Sequence, residues 1–454
     1  MDIKIKIFIT LFIAYAFFTN FYLTTNDAPR FSLTAAIVEE QRFEIDSFLN
    51  KSIVLPSWYP KGLIIWGAID FAEYNGHIYS DKAPLGSFLA IPIYSTVRLF
   101  TSDIGILAYF CSLFVSGLLT TLTAVLIYDI GRYFTKNDDM RLLVALGYGL
   151  GTMAFFYGTI FFSHATTTFF GFIAFYLLFK VKRKDLGDNS MIMAGIFAAF
   201  TTMSDYYALI TVLGLFVYCL SFCKKTQILK FLGGFLIAIS LLLIYHYIIF
   251  DDPFTPPYKY VVTFKAEQEQ GFYGVTVPKL DAIIGLTISP YRGLFFYNPL
   301  LLLSVLYLPM LYRRHKTETM LIFFICIGFF FFNASYSVWG GGICVGPRHL
   351  LPVIPFLMLP LFVVDTNRGK KWFKRFLLVS LLINFVYVQS RMNLVAIDMG
   401  VLTIDLPIIS DISNALNQLL LSYGFGLPSY SSILIIVILS MLWFREIPKK
   451  INDG

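Results

Sequence analysis

Two loop segments carry residue types that chemistry at a membrane surface would use. One reads Thr25-Asn26-Asp27-Ala28-Pro29-Arg30, the other Gly76-His77-Ile78-Tyr79-Ser80-Asp81-Lys82-Ala83-Pro84-Leu85. A carboxylate such as Asp27, within hydrogen-bond reach of a hydroxyl, takes its proton as the oxygen attacks. Fixed cations such as Lys82, Arg292 and Arg348 meet the charge that develops on an anionic leaving group. Arg348 follows Gly346-Pro347, a rigid turn able to aim it inward, and His77 is placed to orient an acceptor.

Each residue also has a plainer reading. Asn26 or Asp27 caps a helix whose first turn holds Pro29. Asp81-Lys82 forms a solvated turn before the extended break at Ala83-Pro84, and His77 is a structural loop histidine. Arg292 and Arg348 anchor at lipid headgroups, while Tyr336 and Trp339 belong to an interfacial aromatic belt rather than to a sugar-stacking surface. Asp251-Asp252 closes a helix, although two adjacent carboxylates keep a divalent cation possible.

The elements that must position these loops are membrane helices. Of 454 residues 57% are hydrophobic and only 14% charged, where a soluble domain carries about one quarter charged. Apolar runs such as 104–128 and 228–250 approach or exceed the roughly 20 residues that cross a bilayer. The net charge of +7 is not a nucleic-acid signal, because the basic residues sit in short clusters between apolar runs. Of the five cysteines, Cys111, Cys219, Cys223 and Cys326 fall in apolar runs and Cys344 in a loop, so neither a disulfide framework nor a metal quartet is expected. The first run follows Lys4 and Lys6; its Ala14-Tyr15-Ala16 string lies inside the run rather than after it, so an anchor is expected, not a cleaved signal.

Basic clusters mark cytoplasmic loops. Placing Lys4/Lys6, Arg132/Lys136/Arg141, Lys180–Lys184, Lys224/Lys225/Lys230, Arg313/Arg314/Lys316, Arg368–Arg375 and Arg445–Lys450 on one side requires two crossings between each pair. The result is an all-α, polytopic single domain over residues 1–454. It has about twelve transmembrane helices with both termini cytoplasmic, the last at 431–444. The outer loops are 24–103, 251–292, 335–349 and 395–430, and segment 85–100 is an interfacial helix rather than a span.

Together, Asp27, Arg30 three residues on, an interfacial helix, and the Lys82-Ala83-Pro84-Leu85 string opening a second such helix resemble the first outer loop of the GT-C superfamily of membrane glycosyltransferases. The pattern is most similar to the protein O-mannosyltransferase and lipid A aminoarabinose transferase group. Phe250-Asp251-Asp252-Pro253-Phe254, Ser289-Pro290-Tyr291-Arg292-Gly293 and Trp339-Gly340-Gly341-Gly342 with Gly346-Pro347-Arg348 also look familiar there. Two positions depart from the pattern: Ala28 follows the acid where many members have a second acid, and Ala83 stands for the first Pro of the string. The resemblance implies a GT-C-like fold in the cell membrane. It also implies inverting transfer of a sugar from a polyprenyl-phosphate carrier to a hydroxyl- or amine-bearing acceptor (protein, lipid or envelope glycan) on the outer face. Asp27 is then the catalytic base, and Arg30, His77, Asp81, Lys82, Arg292 and Arg348 are the substrate-binding residues. No cofactor is firmly predicted, a divalent cation is possible, and the partners are the lipid-linked donor, membrane lipids and the acceptor. A lipid or glycan transporter, such as a flippase, is the rival class. It would need a polar path through mid-membrane, whereas His164, Asp205 and His246 lie near the ends of expected spans.

Overall fold

A computed structural model describes residues 1–21, 23–49, 70–342 and 344–389. The expected last span at 431–444 and the outer loop 395–430 lie outside the described residues. The chain is mostly helical: α1 (Ile3–Phe18), α2 (Ala28–Ala35), α3 (Leu85–Arg98), α4 (Ile104–Gly131), α5 (Asp138–Gly151), α6 (Ser163–Lys182), α7 (Ser190–Ser204), α8 (Tyr206–Leu220), α9 (Lys225–Phe250), α10 (Leu300–Arg314), α11 (Lys316–Ser335), the largely 3-10 segment α12 (Arg348–Val363) and α13 (Asn367–Gln389). Local chemistry sets several starts. Asp2, Asp103 and Asn137 each accept a hydrogen bond from a backbone N–H two or three residues on, at 3.0 Å, and so cap α1, α4 and α5.

Among the described residues, four helices are long and apolar enough to cross a membrane: α4, α6, α9 and α11. Three shorter apolar helices, α7, α8 and α12, accompany them. The twelve crossings expected from charge refer to the whole chain, whereas four helices among the described residues meet the length and composition requirement. A 15-residue helix such as α7 rises only about 22 Å against a hydrocarbon core of roughly 30 Å.

Helix α6 is the centre of the bundle, with its residues buried almost throughout from Ser163 to Val181. Helices α7 and α9 cross in backbone contact. A Cβ added at Gly195 would fall 2.0 Å from the Phe231 carbonyl oxygen, and one at Gly234 would fall 2.1 Å from that of Ile192. Such close approach is the usual way membrane helices pack without a hydrophobic driving force between them. Helix α9 turns Leu236, Ile237, Leu241 and Ile244 outward, each more than half exposed, as a lipid-facing side would be.

The two ends of the bundle differ. At one, Lys4 pairs with Asp129, Lys182 with Glu318 at 2.7 Å and Arg314 with Asp365 at 3.0 Å. These tie together the loops that carry the basic clusters. At the other end converge α2, the starts of α6 and α12, and the last turns of α7, α9 and α11.

The all-α expectation needs one correction. Ala72–Tyr74 (β1) and His77–Tyr79 (β2) form an antiparallel hairpin with Tyr74 paired to His77. Its two-residue turn is Asn75-Gly76, both at positive φ (51° and 79°), the geometry for which Asn-Gly is favoured. An isolated bridge from Ala72 to Val261 and the Val262 N–H donating to the Phe71 carbonyl at 3.1 Å fasten the hairpin to the segment after α9.

Candidate active site

Where the helix ends converge, they enclose an open cavity of about 1200 Å³. Arg30, Asp81, Lys82 and Arg348 line it, together with His164 and Asp205. The hairpin register explains the first cluster. Continuing the Ala72–Tyr79 pairing outward sets Asp70 across from Asp81, and Lys82 Nζ bridges them at 2.9 and 2.7 Å. All three side chains are at most 12% exposed. Burial holds the Asp81 carboxyl above its ordinary range despite Lys82, and Asp70 adds to the shift. Lys82 is thus already neutralised by two carboxylates rather than free to receive a phosphate.

That arrangement makes Lys82 a folding residue. Lys82→Ala would strand two buried carboxylates, and breaking a buried ion pair costs about 3–5 kcal/mol. Lys82→Ala should therefore melt well below the parent in detergent, and adding Asp70→Asn and Asp81→Asn should recover much of the loss. An unchanged melting temperature for the single variant would mean that neither carboxylate is ionised in the folded chain.

Asp27 precedes α2 as its N-cap by position, but its side chain makes no capping bond. The carboxylate points backward instead. Oδ1 accepts from the Thr24 N–H and, at 2.5 Å, from Thr24 Oγ1. Oδ2 is buried with no partner among the described residues. Asp27 is 1% exposed, and burial pushes its carboxyl up to about 6, against the lowering effect of the Thr24 hydrogen bonds. It sits behind the cavity wall, whose lining at this point is Thr25, Asn26 and Arg30. Arg30 Nη1 donates to the Asn26 carbonyl and Oδ1 at 2.7 and 2.8 Å, and Nη2 to Ser163 Oγ at 2.8 Å. Helix α2 is held in place by Ser87 Oγ, which donates to the Arg30 carbonyl at 2.9 Å.

Arg292 and Arg348 part company. Arg292 is fully buried. Its guanidinium donates to the carbonyls of Gly340, Gly342 (2.6 Å), Cys344 (3.0 Å) and Tyr291 (3.2 Å). Expected beside the lipid phosphate, it instead locks the glycine loop, where Gly341 and Gly342 adopt the left-handed region (φ 74° and 67°). Gly340, Gly341 and Gly342 face the cavity in its place. Arg348 does line the cavity. Its Nε is buried without a partner, and among the described residues no carboxylate lies within ion-pair distance of it. It is half-buried, with its guanidinium carbon 5.7 Å from the Phe162 ring centre.

His77 is not brought to the cavity. It sits on β2, more than half exposed, 3.4 Å from Asp46. Asp252 accepts from the Phe254 N–H and Thr255 Oγ1 at 3.0 and 2.6 Å, and Asp251 from the Tyr74 hydroxyl at 3.3 Å. No group of three or more His, Cys, Asp or Glu side chains assembles among the described residues, so the divalent cation has no ready ligand set there.

Sequence reasoning left out His164 and Asp205, which face the cavity together. Asp205 Oδ1 accepts from Ser163 Oγ at 2.8 Å; Oδ2 accepts from Thr167 Oγ1 at 2.8 Å and lies 3.2 Å from His164 Nδ1. The apolar side of the cavity is partly α9, through Ile239, Leu242 and Leu243.

No protein-family model and no curated protein matches the chain in sequence. Among solved structures, it is similar to the Archaeoglobus fulgidus oligosaccharyltransferase complexed with Zn and sulfate, with TM-score 0.43 and 12% identity over 86% of this chain and 52% of that one. It is also similar to the archaeal oligosaccharyltransferase AglB from Archaeoglobus fulgidus in complex with an inhibitory peptide and a dolichol-phosphate, with TM-score 0.44 and 10% identity over 96% and 56%. The apo form of the Archaeoglobus fulgidus enzyme gives TM-score 0.42 and 11% identity over 98% and 58%. The chain spans little more than half the length of these proteins, and at this level of similarity no residue of one is equated with a residue of another.

Proposed function

We propose that the chain is a membrane glycosyltransferase that moves a sugar from a polyprenyl-phosphate carrier to an acceptor at the outer face. The observation that carries this reading is the cavity itself. It combines Arg348, which has no carboxylate within ion-pair distance among the described residues, with buried carboxylates and opens beside an α9 surface rich in exposed aliphatic side chains. An anionic headgroup attached to a long apolar chain satisfies both halves, the phosphate at Arg348 and the polyprenyl chain along α9.

In this reading Asp27 is the base. Thr24 fixes its orientation, its Oδ2 is free to take a proton, and a carboxyl that titrates near 6 is matched to proton abstraction near neutral pH. The Thr25–Asn26 wall must then open to let the acceptor hydroxyl reach Asp27 behind it. The hydroxyl loses its proton there and attacks the anomeric carbon from the face opposite the phosphate, which inverts the configuration. Arg348 meets the charge left on the departing phosphate. Arg30 and Lys82 act indirectly: the first holds Asn26 and Ser163 in place, the second holds the hairpin flank closed over Asp70 and Asp81. The basic clusters at the opposite end of the bundle support an outer location for the cavity.

Mass spectrometry of glycans and glycolipids from cells with and without the gene tests the reading. One glycosylated product should disappear while a polyprenyl-phosphate-linked sugar accumulates. Unchanged levels of every such species would count against it.

A further inference from the structure

The cavity lining holds a second proton-handling group besides Asp27, which sits behind the wall. Asp205, at the end of α7, accepts hydrogen bonds from Ser163 and Thr167 and lies 3.4 Å from the Tyr207 hydroxyl. It is 5% exposed. An ionised carboxylate only accepts, so the Asp205–His164 contact puts the proton of the imidazole on Nδ1. His164 Nε2 is then the free nitrogen, and it is buried without a partner among the described residues. His164 is 3% exposed. A buried polar atom left unpaired in this way calls for a ligand group.

The neighbourhood identifies the ligand group. Phe162 is shared: its ring centre lies 5.9 Å from that of His164 and 5.7 Å from the Arg348 guanidinium carbon. Arg348 Nε is likewise a buried polar atom of this corner without a partner among the described residues. His349 stacks edge-on to His164 at 5.7 Å and is held by Asn333 through Nδ1 at 3.0 Å. Tyr157, with ring centres 5.5 Å apart, closes the far side, and Tyr207 approaches Nδ1 at 3.1 Å. Arg30 reaches this corner only through Ser163. The charged and titratable groups packed around His164 are therefore Asp205, Arg348, His349, Tyr157, Tyr207 and, through one serine, Arg30. Only Asp205 among them supplies negative charge.

We infer that His164 Nε2, oriented by Asp205, takes up a proton when the lipid phosphate binds and delivers it to the leaving phosphate oxygen, with Arg348 at its side. This rests on the glycosyltransferase reading above. The step balances. As the acceptor oxygen bonds to the anomeric carbon, the carbon–oxygen bond to the phosphate breaks and its electron pair stays on that oxygen. The proton that Nε2 took up with the phosphate passes to this oxygen, and the acceptor's proton goes to Asp27. The products are the glycoside and a singly protonated polyprenyl phosphate monoester. His164 is left neutral with Nε2 free again and Asp27 releases the acceptor's proton, which restores the site until the next lipid phosphate binds. His164 is a catalytic residue in this scheme and Asp205 a positioning residue.

The probe is farnesyl phosphate bound to the purified full chain in nanodiscs, with farnesol as the control for the tail alone. Calorimetry in two buffers of different ionisation enthalpy reads the protons taken up. At about pH 8 a free phosphate monoester is largely dianionic, so the wild type should take up about one proton per bound ligand. His164→Gln keeps a side-chain N–H near the Nε2 position; it should bind farnesyl phosphate with little or no uptake, while its turnover falls about 10²-fold at nearly constant KM. Asp205→Asn should reduce uptake part-way. Full uptake by His164→Gln, with farnesyl phosphate bound more tightly than farnesol, would overturn the donor role and leave the glycosyltransferase reading standing. Equal binding of farnesol and farnesyl phosphate by the wild type would overturn both. If His164→Gln fails to fold, the wild type alone decides: phosphate binding without proton uptake overturns the inference.

Discussion

Asp27→Asn should abolish sugar transfer while making the protein more stable. Removing a general base costs roughly 10²–10⁴-fold in rate, and an amide cannot accept the acceptor's proton at neutral pH. The Thr24 N–H and hydroxyl still find an oxygen at the same place, so the local backbone holds. The carboxyl titrates near 6 in the fold against an ordinary value of 3.8, so the folded chain binds this proton more tightly than the unfolded chain. That favours folding fully below the ordinary value, and the advantage is lost as pH rises through about 6. Above that pH the buried charge opposes folding by as much as about 3 kcal/mol, and a neutral amide relieves it. Melting curves above neutral pH should therefore shift upward for Asp27→Asn. The native kcat/KM should rise with pH through about 6 and then level, because the base must be unprotonated to act. Normal turnover by Asp27→Asn would remove Asp27 from the chemistry. If Asp81→Asn were inactive instead, the base would be Asp81, whose Oδ1 is also buried without a partner among the described residues.

Arg348→Ala has the second largest expected effect. A charge-assisted hydrogen bond contributes about 1.5–3 kcal/mol, which corresponds to roughly a 10- to 150-fold loss in kcat/KM for the lipid-linked donor. Folding should change little, since no carboxylate pairs with Arg348 among the described residues and the glycine loop is held by Arg292. Arg348→Lys should recover only part of the loss, because a point charge does not reproduce the planar fork. Kinetics with a polyprenyl-phosphate-sugar donor, alongside melting curves, separate the two effects. An Arg348→Ala protein with native kcat/KM would mean that the phosphate sits elsewhere.

Much of the site was legible because loop residues in an apolar chain stand out. Asp27, Arg30, Asp81, Lys82 and Arg348 all lie at or beside the cavity end of the bundle. What their neighbours do was less legible. Asn75-Gly76 is a hairpin turn that the all-α expectation passed over, and the hairpin's register is what sets Asp70 across from Asp81 and consumes the charge of Lys82. Arg292 looks equivalent to Arg348 in sequence, yet its partners are carbonyls on a glycine loop about 50 residues away, a contact no local pattern encodes. His164 and Asp205 are single polar residues near the ends of apolar runs, 41 positions apart. Hydrophobic periodicity places each on a helix end but does not say which helix ends meet. The same limit applies to the span count: basic clusters order the loops by side, whereas helix length and tilt depend on packing between neighbours.

The central claim is that this cavity breaks the bond between a sugar and a lipid phosphate. The direct measurement is release of polyprenyl phosphate from a sugar-labelled donor by the purified full chain in nanodiscs, with water and a panel of hydroxyl and amine acceptors offered together. The account predicts release of polyprenyl phosphate with the label moved to an acceptor or to water, strongly reduced in Asp27→Asn and Arg348→Ala. A donor that stays intact under all of these conditions, yet passes from one leaflet to the other when the protein is present, would contradict it and make the chain a transporter.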